Sequence, residues 1–201
     1  MRYIYIFLLI SYLILTACAT PVTRVNTTDD RGPEGMGLDY RDFEIGATEA
    51  VQKMLRSGAV NHPNGGRYVL AVSRITNDTM QHISTTQLTK KIRIELLNSG
   101  KVVTTTAIGL DEPEDEMSSA VRELRQSDEV HQSRLPGKGQ LQSPDLSLSG
   151  RLIQQTQRMN RKTQRTEYYL QLTLTEVGSG LAIWEGETMI VKQGSARSVS
   201  W

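Results

Sequence analysis

The chain has 201 residues, with 23 basic against 22 acidic side chains and a single cysteine. So even a balance offers no electrostatic footprint for nucleic acid and no polybasic patch for anionic lipid. One cysteine excludes an intramolecular disulfide framework, so a hydrophobic core must hold the fold unaided, which a chain of this length can build.

Met1-Arg2 and the almost unbroken apolar run from Ile4 to Leu15 have the layout of a secretory signal, a short basic n-region followed by an h-region. The run falls short of the roughly 20 apolar residues that cross a bilayer as a helix. Leu15-Thr16-Ala17-Cys18 then resembles a bacterial lipobox, in which the peptidase cuts before a cysteine that already carries a diacylglyceryl group. The plainer alternative is an ordinary signal peptide with a cysteine near its cut. Cys18 is therefore the expected lipidation site and residues 1–17 the expected signal peptide, leaving 184 residues with 22 basic and 22 acidic side chains. Each buried methylene contributes about 0.8 kcal/mol, so several acyl chains on one cysteine hold a protein at a membrane surface. Ala19, where aspartate would signal retention, resembles an outer-membrane address.

Residues 18–38 hold two prolines, three glycines and almost no large apolar side chain, the composition of a flexible tether. Helical periodicity begins after Asp39, with Phe43, Ala47, Ala50, Val51, Met54 and Leu55 on one stripe and Gly58 as its stop. Arg67 to Ile75 reads as a strand buried on both faces, closed by a loop at Thr76-Asn77-Asp78-Thr79. A helix from Thr85 or Thr86 to Asn98 and a Thr-rich strand from Lys101 to Ile108 complete a βαβ unit with parallel strands. A third helix is expected over Glu112 to Gln126, with Met117, Ala120, Val121 and Leu124 on its inner side, and then a surface loop from His131 to Pro144. In the last third, Leu146, Leu148, Gly150 and Leu152 alternate with polar residues, as do Tyr168, Leu170, Leu172 and Leu174, giving two half-buried strands. Gln157 to Arg165 between them reads as a basic hairpin tip. Gly178-Ser179-Gly180 turns the chain into a final strand, Leu181 to Val191, carrying Trp184 as a core residue. The expectation is an α/β fold: one small domain over residues 39–192, a mixed sheet made of the βαβ unit and a C-terminal antiparallel meander, flanked by helices, with a tail at 193–201.

Catalytic chemistry is hard to find. His62, His82 and His131 fall in separate expected loops, and a zinc site needs three or four ligands, so no metal and no cofactor are expected. No nucleophile elbow, HExxH or phosphate-binding glycine motif occurs, and Gly137-Lys138-Gly139 lacks a strand before it and a helix after it. The acidic run from Asp111 to Glu116 is explained by carboxylates favouring the positive end of a helix macrodipole, with a paired-carboxylate or calcium site as the alternative. Two groups suit recognition of another macromolecule. Arg74, Asn77 and Asp78 sit near the carboxyl end of a parallel strand, where binding groups gather in such sheets, although Asn77 and Asp78 also serve simply to make a turn. Arg158, Arg161 and Arg165, with Lys162, make the hairpin tip basic, either as a solvated turn or as a contact for an anionic partner surface or polymer.

Several runs resemble one family: Asp39-Tyr40-Arg41-Asp42-Phe43, Tyr68 to Ile75 leading into Asn77-Asp78-Thr79, Pro144 to Gly150, and Glu167 to Thr175 followed by Gly180-Leu181-Ala182-Ile183-Trp184-Glu185. Together they are similar to the LpoB family of outer-membrane lipoproteins that activate a class A penicillin-binding protein, over about residues 39–192. The resemblance implies a fold similar to the N-terminal domain of TolB. It also implies a non-catalytic regulator, lipid-anchored in the outer membrane and facing the periplasm, whose partner is a bifunctional peptidoglycan synthase rather than a small-molecule substrate. The tether departs from the family, whose members often carry a long Pro-rich one. A thinner periplasm, a partner that reaches further out, or a different partner would each account for that. A structural or assembly lipoprotein on the same fold, such as a curli-secretion-like or scaffold component, is the alternative from another functional class.

Overall fold

A computed structural model describes residues 22–27, 29–107 and 115–198, so Cys18 and the signal segment lie outside the described residues. The chain divides into two units, Met1–Glu34 and Gly35–Trp201. The described residues of the first contain no helix or strand; Arg31 Nε donates to the Asp29 carboxylate at 2.9 Å.

The second unit opens before the helical periodicity does. Met36 is buried and Leu38 packs against the core, although both belong to the stretch whose composition suggests tether. Helix α1, Tyr40–Ser57, follows directly. Asp39 caps it by accepting from the amides of Arg41 and Asp42, and Asp42 returns the bond to the Asp39 amide at 2.7 Å, closing a capping box. The Arg41 guanidinium, 2.6 Å from Asp39, holds that carboxyl below its usual range. At the other end Gly58 takes φ 79, a left-handed conformation that glycine adopts without the penalty a Cβ would bring.

Strand β1, Tyr68–Asp78, buries Leu70, Ala71 and Val72 in succession, as a central strand should. It runs three residues beyond the expected end: Thr76, Asn77 and Asp78 pair with Arg151, Leu152 and Ile153. Asn and Asp favour turns locally, but a long neighbouring strand supplies ladder partners that override that preference. Helix α2, Thr85–Asn98, buries Leu88, Ile92 and Leu96. Strand β2 is only Val102–Thr104, shorter than the span Lys101 to Ile108, whose last residue is outside the described set.

Helix α3 occupies Glu116–Glu123 and continues as a 3-10 turn to Gln126; residues 108–114 before it are not described. None of its residues is buried, and its expected inner side is in solvent, with Met117 68% and Leu124 38% exposed. An apolar stripe specifies an amphipathic helix but not a surface for it to cover. Strands β3, Leu146–Arg158, β4, Thr163–Glu176, and β5, Leu181–Ser195, complete the chain, the last reaching four residues beyond Val191.

The sheet order is β2-β1-β3-β4-β5, with β1 parallel to both β2 and β3 and the meander β3-β4-β5 antiparallel. This is the expected α/β fold, one mixed sheet with helices. Helices α1 and α2 cover the face that carries Leu70, Val72, Leu148, Leu152, Leu170, Leu172 and Leu174, and Trp184 joins this core only partly buried. Gly150 permits the closest approach: a Cβ there would lie 2.7 Å from the Gln171 carbonyl oxygen and 2.6 Å from Leu172.

Candidate partner-binding surface

Of the residues expected to serve recognition, Arg74 and Asp78 lie on the face of the sheet opposite α1 and α2. A bulge between Val72 and Ile75 keeps both of those side chains buried and leaves Arg74 exposed between them. Further along the strand, Thr76 pairs with Arg151 and Asp78 with Ile153, and Arg151 Nε approaches the Asp78 carboxylate at 3.3 Å. Both side chains are about half exposed, so this pair orients two charges at the surface and adds little to stability.

Asn77 does the turn-making that its residue type suggests, from within the strand. Its side-chain oxygen accepts the Thr79 amide at 3.1 Å and the Thr79 hydroxyl at 2.7 Å, and its side-chain amide donates to the Gln81 carbonyl at 2.9 Å. Gln81 in turn accepts the Leu38 amide at 2.9 Å, which ties this corner to the start of the domain.

Beyond Asp78 the pairing continues across the open face as Ile153, Tyr169 and Met189, a short apolar row with Met189 50% exposed. Polar residues surround it. The Tyr169 hydroxyl donates to the Glu167 carboxylate, which pushes the phenol above its usual range. Arg165 Nε lies 2.9 Å from the same carboxylate, and Gln171 donates to Glu187 at 2.8 Å. Sequence reasoning missed this row; the available signal was that Ile153, Tyr169 and Met189 occupy the outward positions of otherwise alternating strands.

The basic hairpin tip is narrower than expected, and its three arginines do not act as one group. Arg165 belongs to β4 and pairs with Glu167 on the open face. The turn itself is Met159 to Lys162, shaped by Asn160, whose side-chain oxygen accepts the amides of Lys162 and Thr163, each at 2.8 Å. Arg158 folds over it, donating to the carbonyls of Asn160 and Arg161 at 3.2 and 3.3 Å. Arg161 and Lys162 extend into solvent.

Among the described residues no group of three or more His, Cys, Asp or Glu could hold a metal ion. His62 stacks at a tilt on Tyr68, 4.7 Å between ring centroids, and its Nδ1 accepts the Asn64 amide. Of the acidic run, Asp115 and Glu116 are described: Glu116 opens α3, and Asp115 caps it by accepting the Ser118 amide at 2.8 Å, a bond that lowers its pKa. Nor is any described helix long and apolar enough to cross a membrane.

With the geometry of the fold and of this face described, the comparisons with known proteins bear on the family. The model of a family described as "Peptidoglycan-synthase activator LpoB" matches residues 42–190, from the first turn of α1 to the middle of β5. The chain belongs to the LpoB family. No curated protein matches the chain. Among solved structures, the LpoB C-terminal domain from Salmonella enterica is 19% identical, with 74% of this chain and 98% of that one covered and a TM-score of 0.45. The NMR structure of Escherichia coli LpoB is 20% identical, covering 89% of this chain and 80% of that one at a TM-score of 0.43. Lipoprotein GNA1162 from Neisseria meningitidis is 11% identical, covering 66% and 87% at 0.38. Membership places the chain among envelope lipoproteins that activate a peptidoglycan synthase, a regulatory rather than an enzymatic family.

Proposed function

We propose that this protein is anchored through Cys18 in the outer membrane, faces the periplasm, and binds and activates a class A penicillin-binding protein. The observation that carries this is the family match across residues 42–190, which spans both helices of the core and four of the five strands entirely. A regulator accelerates its target only by binding the active conformation more tightly than the inactive one, a coupling of typically 1–3 kcal/mol. The task of this domain is therefore to present one rigid face.

The face we infer is the open side of the sheet around Arg74, with the Asp78–Arg151 pair and the apolar row Ile153, Tyr169 and Met189 beside it. Asn77 holds the adjoining turn in place, and Arg165 with Glu167 lies at the far margin. A small apolar centre inside a charged and polar rim is how protein interfaces are built.

The experiment pairs purified protein with the purified synthase and measures binding and glycan polymerisation together. Arg74→Glu should weaken binding by about tenfold or more where the arginine meets an acidic patch, since like charges then face each other. Its thermal midpoint should stay unchanged, because the side chain is exposed. A lowered midpoint with undiminished binding would make Arg74 a structural part of the bulge and remove it from the interface. Failure of the wild type to bind any class A synthase would remove the function itself.

A further inference from the structure

The start of the domain and the hairpin tip lie at the same end of the sheet. Met36 packs over Gly194, its sulfur only 2.6 Å from where a Cβ would stand, and its carbonyl accepts the buried Tyr168 hydroxyl at 2.9 Å. The next carbonyl, of Gly37, accepts Lys192 Nζ at 2.8 Å. Gly194 pairs with Gln164, two residues from the end of the tip at Lys162. At about 3.4 Å per strand residue, the chain enters the domain within roughly 7–10 Å of the turn.

That end also gathers cations, a local cluster that the even overall charge balance of the chain conceals. Arg158, Arg161 and Lys162 come from the tip. Arg197 is added by the end of the chain, because the Ala196 amide donates to the Lys162 carbonyl at 2.8 Å and Gln164 donates to the Ser198 carbonyl. All four cations are exposed, and neither 156–164 nor 193–198 contains a carboxylate. Asp39, Asp42 and Glu167 on neighbouring elements each hold a cation of their own, Arg41, Lys192 and Arg165. Met159, 51% exposed, stands among the charges.

We propose that this end of the domain rests on anionic phospholipid headgroups of the membrane that carries the anchor, with Arg158, Arg161, Lys162 and Arg197 as the contacts and Met159 at the headgroup boundary. The proposal rests on the reading of Cys18 as the lipidated residue. Only 16 residues, 19–34, then lie between the anchor and Gly35. A coil of that length spans about 23 Å, and a fully extended chain at most about 60 Å. Such a leash keeps the tip near the surface at an effective concentration in the millimolar range. Each Lys or Arg near an anionic surface then favours the docked posture about fivefold. An acidic protein surface or a carboxylate-bearing wall polymer would suit the same cations, but the chain enters beside the tip, which points that end toward the anchoring membrane. Docking also sets a posture: the β4–β5 turn at Val177 to Gly180 faces away from the membrane, and the open face stands exposed to a partner from the side.

The test uses the full lipidated chain on vesicles of phosphatidylcholine, with and without phosphatidylglycerol. With Cys18 acylated, a cysteine introduced as Gln157→Cys or Val177→Cys is the single free thiol and takes a fluorophore. Cosedimentation reports the anchor, and quenching by a headgroup-linked quencher reports docking. The Gln157→Cys label should be quenched on anionic vesicles, the Val177→Cys label should not, and raising salt from about 0.1 to about 1 M should release the tip as the screening length falls from about 10 to about 3 Å. Arg161→Gln with Lys162→Gln should lower the docked-to-free ratio roughly 25-fold, at an unchanged thermal midpoint. Vesicle-bound protein whose tip is equally quenched on neutral lipid, or insensitive to the double substitution, overturns the proposal while leaving the anchor intact. Protection of the label by isolated wall polymer and not by anionic vesicles overturns it in favour of that polymer. Protein that stays in the supernatant overturns the anchor itself, and the docking with it.

Discussion

Lys192 and Asp42 form an ion pair of 2.6 Å with side chains only 6% and 10% exposed, and each has a second partner that makes such burial tolerable. The ammonium also donates to the Gly37 carbonyl, and the carboxylate accepts the Asp39 amide. Removing one partner of a buried pair strands the other charge, at a cost of about 3–5 kcal/mol. Asp42→Ala should therefore lower the thermal midpoint by about 10 °C, taking 2–4 °C per kcal/mol for a domain of this size. Lys192→Met should cost distinctly less, because Asp42 keeps an amide and the favourable end of the helix dipole. Scanning calorimetry separates the two, and equal losses would show that the strap around Gly37 matters more than the stranded charge. The carboxylate was legible from the sequence as part of a helix start, but its pairing was not. Lys192 lies 150 residues away, just past the expected end of the last strand, and no local spacing links the two positions.

Helices α2 and α3 carry the same kind of apolar periodicity and meet different fates. Ile92 of α2 is fully buried against the sheet, whereas Met117 of α3 is 68% exposed. Ile92→Ala should cost about 2–5 kcal/mol through lost burial and the cavity left behind. Met117→Gln should stay within about 0.5 kcal/mol, as surface substitutions do. Urea unfolding of both variants decides the matter, and a large loss at Met117 would place α3 in the cooperative core. Strand β1 errs in the opposite direction: Asn77 and Asp78 look like a turn and are held in a ladder, because β3 extends beside them. In both cases a local pattern names a tendency, and the neighbour decides whether it is used.

For the whole molecule, the chain divides into two units between Glu34 and Gly35. Deleting residues 20–29 spares the strap from Met36 to Leu38 and removes at most about 35 Å of reach. Where reach is limiting, function in cells should collapse while activation of the purified synthase persists; equal loss in both assays would mean that the segment itself touches the partner. Cys18→Ser should leave a folded domain that no longer partitions with membranes, checked by fatty-acid labelling and fractionation, and an unlabelled wild type would end the anchor hypothesis. The sequence by itself determined the α/β class, the order of helices and strands, the glycine stop of α1 and the inward side of the meander, because these rest on periodicity and on residue types acting within a few positions. Tertiary structure alone decided that β1 lies parallel to β3, that Met36 belongs to the domain, and that Arg165 parts from Arg158 and Arg161 while Arg197 joins them. Strand pairing and charge clustering depend on which distant segments become neighbours, and that is settled by burying the whole core at once.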